Sequence, residues 1–286
     1  MTEIEKNTNI FIKIWKVIST PLMFVAVQYI VVYIGAFIFG VYIGIQEELT
    51  GEILFNEEGV TNFFSEYSLI FVLISGLVCL GIIRWKFAKD RKRIKRMERE
   101  TEKINLFLVA GISICAYVTL LIPQFFIDLA NYLPGAEDSV NMIMTGGLRL
   151  QILAVVLVGP IVEEVVFRGI VFNRLKEYKV TLWVAIIIQA ILFGIIHFNA
   201  FQGLYAMLVG ILFAIIYHKT KTLWAPIIAH MSYNATSLAF LYFGGYVTIL
   251  LPALILPILM YILFAKYKPS ESITENLEEI EEGNLR

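Results

Sequence analysis

The chain has 286 residues, of which 58% are hydrophobic and only 16% are charged, and its mean hydropathy is +0.76. A soluble domain is about 45–50% apolar and about 25% charged, so this composition predicts an integral membrane protein. The net charge of −1 argues against nucleic-acid binding by bulk charge. The two cysteines, Cys79 and Cys115, both lie in apolar runs, where we expect buried small hydrophobes rather than a disulfide or a metal site.

Apolar runs of about 20 residues are the unit of a membrane-spanning helix, and this chain contains eight such runs. In chain order the predicted spans are 17–45, 67–84, 104–127, 149–172, 182–199, 203–218, 223–243 and 246–265. The first run is too long for a signal-peptide core, so we interpret it as a retained span. The pattern predicts an all-α, polytopic membrane helix bundle with about eight transmembrane helices.

Lysine and arginine accumulate in cytoplasmic loops, so their distribution predicts the orientation of the bundle. The segment 84–103 is strongly basic, and the loops that alternation places on the same side also carry lysine or arginine. The loops on the other side are acidic. Aromatic belt residues fall on the basic side: Trp15, Trp85, Trp183 and Trp224. We therefore expect both termini in the cytoplasm.

Three parts follow from this arrangement. Residues 1–148 are expected to hold three transmembrane helices and the basic cytoplasmic loop. Residues 149–265 are expected to form a compact bundle with very short connections, and residues 266–286 an acidic cytoplasmic tail. A multi-pass protein of a prokaryotic plasma membrane fits this organisation.

Two adjacent carboxylates, Glu163 and Glu164, lie inside the apolar fourth span. A charge at the bilayer centre costs about 2.5–3.5 kcal/mol even on insertion scales, so such a group is expected to have a partner and a task. Glu164 and Arg168 are four residues apart and can form an ion pair along the helix. Glu163 points about 100° away and is free to face a cavity.

Two of the three histidines lie inside later apolar spans. His197 follows Phe193 by four residues, and Asn234 follows His230 by four, so each pair shares one helix face. Gln189 continues the stripe of Phe193 and His197 on the fifth span, where we interpret it as interhelical glue.

The residue types in these spans are those of a hydrolase. A carboxyl group in low dielectric has a raised pKa, which suits a general base that works near neutrality. Imidazoles and a carboxylate can hold zinc, and they can equally activate water without a metal. An asparagine amide can donate to a developing oxyanion. A secondary transporter or proton relay using the same groups, and a non-catalytic membrane scaffold, stay open as alternatives.

At these residues the sequence resembles the CAAX protease and bacteriocin-processing (CPBP, or Abi) family of intramembrane proteases. The three motifs that carry the resemblance are Glu163-Glu164-x-x-x-Arg168, Phe193-x-x-x-His197 and His230-x-x-x-Asn234. They occur in the family's order on separate predicted helices. The resemblance covers about residues 145–245 and leaves the three N-terminal spans unmatched.

The resemblance implies an eight-helix membrane endopeptidase acting on a membrane-associated protein or peptide. By analogy Glu163 is the water-activating base beside His197, Phe193 is supporting, and Glu164 with Arg168 supports the pair. The same analogy has His230 and Asn234 completing the site and stabilising the oxyanion. Zinc is a possible cofactor, with Glu163, His197 and His230 as ligands. Substrate processing at a leader or C-terminus, or immunity to a bacteriocin, is implied only at the level of the family.

One difficulty concerns depth in the membrane. At 1.5 Å per residue from the predicted cytoplasmic ends, Glu163 lies about 14 Å deep, His230 about 10 Å and His197 about 22 Å. A single site requires these depths to agree. The fifth span is therefore expected to start later than residue 182, or to tilt or bend near Gly194.

Overall fold

The computed structural model describes residues 10–51, 56–88, 104–126, 147–243 and 250–266, with single positions between 90 and 94 and between 137 and 144. Most of the basic segment 84–103 beyond residue 94 and the acidic tail after residue 266 lie outside the described residues. Within them the chain is all-helical. This confirms the all-α part of the predicted fold class.

Eight long helical segments account for the described core. They are α1 (Ile10–Thr50), α2 (Glu57–Lys86), α3 (Leu106–Phe126), α4 (Leu148–Glu177), α5 (Leu182–Ile195), α6 (Ala200–Thr220), α7 (Trp224–Phe243) and α8 (Leu250–Lys266). Each coincides with one predicted span. Four of them, α1, α2, α4 and α6, are long and apolar enough to cross a membrane by length and composition. The crossing of all eight helices and their orientation stay predictions.

Several helices extend beyond the predicted spans, among them α1, α2 and α4, and two differences bear on the site. α5 ends at Ile195, four residues before the predicted end at 199, and the backbone then turns, with Phe198 at a φ of 49°. Hydropathy does not predict this turn, because Ile196 and Phe198 continue the apolar run beyond the end of the helix. α6 is longer than the predicted 203–218, since Asn199 accepts the Gln202 backbone N–H and so caps its start.

The helices of the N-terminal part enter the same core as those of the C-terminal part. Phe24 of α1, Cys79 of α2 and Ile112 of α3 are buried in one cluster with Phe167 of α4 and Phe213 of α6. Within the bundle α5 packs on α6, and α3 packs between α7 and α8. The division at residue 148 stays a prediction, but it does not separate two hydrophobic cores in the described residues.

A polar contact also joins the two parts at the predicted cytoplasmic end. The guanidinium of Arg174, near the end of α4, forms an ion pair with Asp90 at 3.0 Å. The same side chain donates to the Thr20 hydroxyl at 3.1 Å and to the Lys16 carbonyl of α1. A single arginine thus holds α1 and the segment after α2 against α4.

The α5–α6 hairpin depends on a close approach of two glycines. A Cβ added at Gly194 would lie 2.6 Å from the carbonyl oxygen of Gly203 and 3.2 Å from Cβ of Met207. Any side chain at Gly194 therefore pushes the two helices apart. This contact sets the position of the turn that carries His197.

We predict that Gly194→Ala lowers the free energy of unfolding by about 1–3 kcal/mol, because the new methyl group overlaps the facing backbone. Gly44→Ala is the matched control, since a Cβ there meets no atom within 4 Å. Its helical position should make that change neutral or slightly stabilising, by up to about 1 kcal/mol. Thermal unfolding in detergent measures both, and equal midpoints for the two variants would contradict the packing argument.

Candidate active site

The helix that carries the two glutamates is irregular on both sides of them. In α4 a π-helical segment runs over Ile152–Val158, an α-helical turn over Gly159–Glu164, and a second π-helical segment over Val165–Phe172. Short π segments inside α-helices are frequent at functional sites. Gly159 fits the first one, because a Cβ there would lie 2.9 Å from the Ala154 carbonyl oxygen that its own N–H binds.

Proline at position 160 leaves one carbonyl of this segment without a backbone donor. In the π pattern the N–H of residue 160 would bond the carbonyl of Val155, but proline has no N–H. The neighbouring N–H of Gly159 already bonds Ala154. Asn234 of α7 supplies the missing donor: its Nδ2 lies 2.8 Å from the Val155 oxygen. This bond ties α7 to α4 about two helical turns before the glutamates.

Glu164 is the centre of the polar network. Its Oε1 accepts from Nη1 of Arg168 at 2.8 Å and from Nδ1 of His230 at 2.9 Å. Both Glu164 and Arg168 are wholly buried, so the predicted ion pair is confirmed. Since the carboxylate oxygen accepts, Nδ1 of His230 carries the proton, and this sets the orientation of the ring.

Arg168 is fixed by contacts with α5 and α6. Its Nη2 donates to the carbonyl of Gly210 at 3.0 Å, and Gln189 donates to the same oxygen at 3.0 Å. The guanidinium carbon lies 4.8 Å from the ring centre of Phe193 and 5.4 Å from that of Phe213. Gln189 is thus interhelical glue, as predicted, and Phe193 is the aromatic surface against which the arginine packs.

Glu163 has a different environment from its neighbour. Its side chain is 19% exposed, and its Oε2 lies 3.7 Å from Nε2 of His230. That separation is too long for a direct hydrogen bond, but it allows a water molecule to bind both atoms. The two carboxylates therefore divide as the sequence predicts, with Glu164 paired in the core and Glu163 facing open space.

His197 lies in the turn after α5 rather than on the helix itself. Its Nδ1 donates to the Phe193 carbonyl at 2.7 Å, and its ring packs edge-on against the Phe193 ring at 5.1 Å. Glu163 and His230 both lie within electrostatic range of the imidazole. The three sequence motifs therefore meet in one place. His218 lies elsewhere, against Lys221 at the end of α6.

The depth difficulty disappears because the helices do not start at one level. Asn173 of α4 donates to the Tyr217 hydroxyl of α6, and the Leu223 side chain lies next to Gly169. The start of α7 therefore lies beside Gly169, about two turns before the end of α4 at Glu177. Gly169 is six residues from Glu163 and Trp224 is six from His230, about 9 Å in each case.

Glu163 and His197 lie at similar depths of about 21–23 Å, because α4 continues to Glu177, fourteen residues beyond Glu163, and α5 begins at Leu182, fifteen residues before His197. The expected later start of the fifth span is therefore wrong, whereas the expected bend near Gly194 is present as the helix end at Ile195.

The donor types at this site suit zinc, but their arrangement does not form a complete ligand set. Both histidines donate through Nδ1, which leaves each Nε2 as a lone-pair donor beside a carboxylate. Among the residues that the structure describes, no three histidine, cysteine, aspartate or glutamate side chains converge closely enough to hold a metal ion. The predicted ligands Glu163, His197 and His230 therefore do not form a metal-binding group in this arrangement, and zinc stays a prediction.

A polytopic, all-helical bundle with buried glutamate, arginine and histidine at its centre is an integral membrane protein with an enzyme-like site. Comparison with known proteins shows what this part of the chain is similar to. Residues 145–236 match the family model described as type II CAAX prenyl endopeptidase Rce1-like. The resemblance to CAAX proteases is thus confirmed for this segment, which contains all three motifs.

Two curated bacterial proteins are similar to the chain. The putative membrane peptidase YdiL of Bacillus subtilis is 40% identical over 85 residues, which is 30% of this chain and 34% of that protein. The membrane-embedded CAAX protease MroQ of Staphylococcus aureus is 25% identical over 155 residues, 50% of this chain and 62% of that protein. The matches thus span about a third and three fifths of these relatives. No solved structure matches the chain significantly.

We predict that Asn234→Ala costs about 1–3 kcal/mol of stability, because it leaves the Val155 carbonyl without a donor. In a Pro160→Ala background the backbone N–H of residue 160 can serve that carbonyl, so the same change should cost less. A double-mutant cycle on unfolding in detergent measures the difference. Equal costs in both backgrounds would show that the asparagine does not replace the missing N–H.

We also predict that Arg168→Met destabilises the bundle by about 3–5 kcal/mol, because it leaves the buried Glu164 carboxylate without its cation. The double variant Glu164→Gln/Arg168→Met removes both charges and should recover much of that loss. Unfolding midpoints in one detergent give the comparison. A double variant no more stable than the single one would argue against a charge-pair origin.

Proposed function

We propose that this protein is an intramembrane endopeptidase that hydrolyses a peptide bond of a membrane-associated protein or peptide with water activated by Glu163. One observation carries the proposal. Of two adjacent glutamates, one is wholly buried with two donors on one oxygen, while the other is partly exposed and 3.7 Å from a histidine Nε2. A structural ion pair needs only the first of these glutamates.

In this mechanism Glu163 accepts a proton from a water molecule as the water oxygen bonds to the scissile carbonyl carbon. The carbonyl oxygen becomes an oxyanion. The C–N bond then breaks, and the proton held by Glu163 passes to the leaving amine nitrogen, which regenerates the carboxylate. Water is the only co-reactant, and the products are a carboxylic acid and an amine.

The other side chains orient this reaction. Since Nδ1 of His197 and Nδ1 of His230 are engaged, Nε2 of either ring can accept the second O–H of the water whose first proton Glu163 accepts. Asn234 uses one N–H for Val155, and its amide has a second N–H for the developing oxyanion. Glu164 and Arg168 hold His230 in place and touch no reacting atom.

The substrate class follows from the relatives. The names of the two curated relatives, a membrane peptidase and a membrane-embedded CAAX protease, support a substrate that is held at or in the membrane. We propose processing of a leader or a C-terminus, or self-immunity to a bacteriocin, through a cavity open to the cytoplasmic side. Zinc stays a proposal that a chelator tests directly.

We predict that Glu163→Gln lowers kcat for a reporter peptide by about 10²–10⁴-fold, because the amide cannot accept the proton of water. Glu177→Gln is the matched control, since it makes the same change on the same helix at an exposed position. Cleavage of a peptide library by purified protein in detergent measures both, each with and without chelator. Loss of cleavage on chelation would assign a metal to the site.

Unchanged cleavage in the Glu163→Gln protein would overturn the proposal. Flux of a solute across proteoliposomes that requires Glu163, without cleavage, would favour a transporter or proton relay. Full biological function of the Glu163→Gln variant would favour a non-catalytic scaffold.

A further inference from the structure

Cationic side chains from two separate loops converge at the predicted cytoplasmic end of the bundle. Lys219 lies in the last turn of α6, and Lys221 directly follows that helix. Lys176 lies at the end of α4, which the bond from Asn173 to Tyr217 holds against α6. Nζ of Lys221 lies 3.2 Å from Nδ1 of His218. An ammonium only donates, so Nδ1 accepts and Nε2–H of His218 is a further donor. We call Lys176, His218, Lys219 and Lys221 the lysine cluster.

Helix capping alone does not account for this arrangement. Cations at the end of α6 are favoured by the helix dipole, which explains Lys219 and Lys221 separately. The dipole of α4, together with the bond from Nζ of Lys176 to the Val180 carbonyl at 3.1 Å, likewise explains Lys176. Capping does not explain why the two helix ends lie side by side, as the 2.7 Å bond between Asn173 and Tyr217 about one turn earlier shows. Burial first, and then the charges of Lys176 and Lys219, lower the pKa of Lys221 to about 8, and no carboxylate among the described residues offsets them. The cluster therefore repels itself and favours an anion.

The surroundings of the cluster are those of a lipid rather than of a soluble ion. Nζ of Lys219 lies 4.4 Å from the ring centre of Phe264 on α8. Large apolar side chains are exposed at the starts of α5 and α7 and on the last turns of α8: Trp183, Trp224, Ile258, Tyr261 and Phe264. Tryptophan at a membrane boundary sits at headgroup level. Cations above an exposed apolar surface match a ligand with a charged head and apolar chains.

The cluster is separated from Glu163 by packed side chains. Leu223 contacts Gly169, and Tyr217 bonds Asn173, so the space between the two regions is closed at this level. Arg168, which lies between them along α4, is wholly buried. An anion bound at the lysines thus cannot be the reacting part of the peptide.

We propose that the lysine cluster binds the phosphate of an anionic phospholipid headgroup, with Lys176, Lys219 and Lys221 as the charge partners and His218 as an added hydrogen-bond donor. The site lies where the loops α4–α5 and α6–α7 meet. A lipid bound there bridges two helical hairpins and fixes the end of α4 against α6. This proposal is independent of the proposed proteolysis.

The test measures the reactivity of Lys221 in the full-length protein. Only the neutral amine reacts with acetic anhydride, so a pKa near 8 makes this lysine reactive at pH 8. A bound phosphate favours the protonated amine and shields it. Acetylation is followed by mass spectrometry in nanodiscs of phosphatidylcholine with or without phosphatidylglycerol. Exposed Lys86 serves as the reference for the general effect of a charged membrane surface.

We expect phosphatidylglycerol to slow acetylation of Lys221 relative to Lys86 by about tenfold when the lipid exceeds its dissociation constant tenfold. Lys176→Gln should remove most of this protection, whereas Lys92→Gln, which makes the same change at another exposed lysine, should leave the protection of Lys221 unchanged.

Equal slowing of Lys221 and Lys86 would overturn the proposal, because it would reflect only the surface potential. Protection in phosphatidylcholine alone would also overturn it. Inorganic phosphate added to the detergent-solubilised protein separates the two sources of the anion. Full protection by phosphate alone would make the cluster a soluble-phosphate site and refute the lipid assignment.

Discussion

Oxygen Oε1 of Glu164 accepts hydrogen bonds from Arg168 and His230, and the geometry of the site depends on this shared atom. It joins α4 to α7 directly, and through the bond from Arg168 to the Gly210 carbonyl it reaches α6. In a region where water is scarce, a charge without such partners costs several kcal/mol. The bundle is therefore constrained to keep these helices in one register.

The backbone of α4 imposes a second constraint that complements the first. A regular helix would satisfy its own carbonyls, but the π segments and Pro160 leave Val155 in need of an outside donor. A comparable contact occurs in the second π segment, where Asn173 donates to the carbonyl of Gly169. Each asparagine side chain thus stabilises a distortion that a soluble protein could hydrate instead. The glutamates lie on the short α-helical turn between the two distortions.

The sequence was sufficient for the parts of this arrangement that depend on composition or on short spacing. Apolar runs predicted the positions of all eight helices, and the four-residue spacing predicted the pair of Glu164 and Arg168. It was not sufficient for contacts that depend on backbone geometry. The bond from Asn234 to Val155 depends on the π-helical segment of α4. The sequence does not reveal this segment, because its residues are apolar on every face of the helix and show no periodicity. The end of α5 at Ile195 could not be predicted from hydropathy either, because apolar side chains continue through the turn that follows it.

A buried ion pair is weak evidence for stability, since replacing it by apolar residues is often neutral or stabilising. The pair of Glu164 and Arg168 is therefore better explained by what it holds in place. It fixes the ring of His230 so that Nε2 points toward Glu163, and the ring is further held between Phe193 and Phe213. Two adjacent glutamates achieve this because neighbours on a helix point about 100° apart. One can then anchor the histidine from the core while the other faces the open side of the same ring.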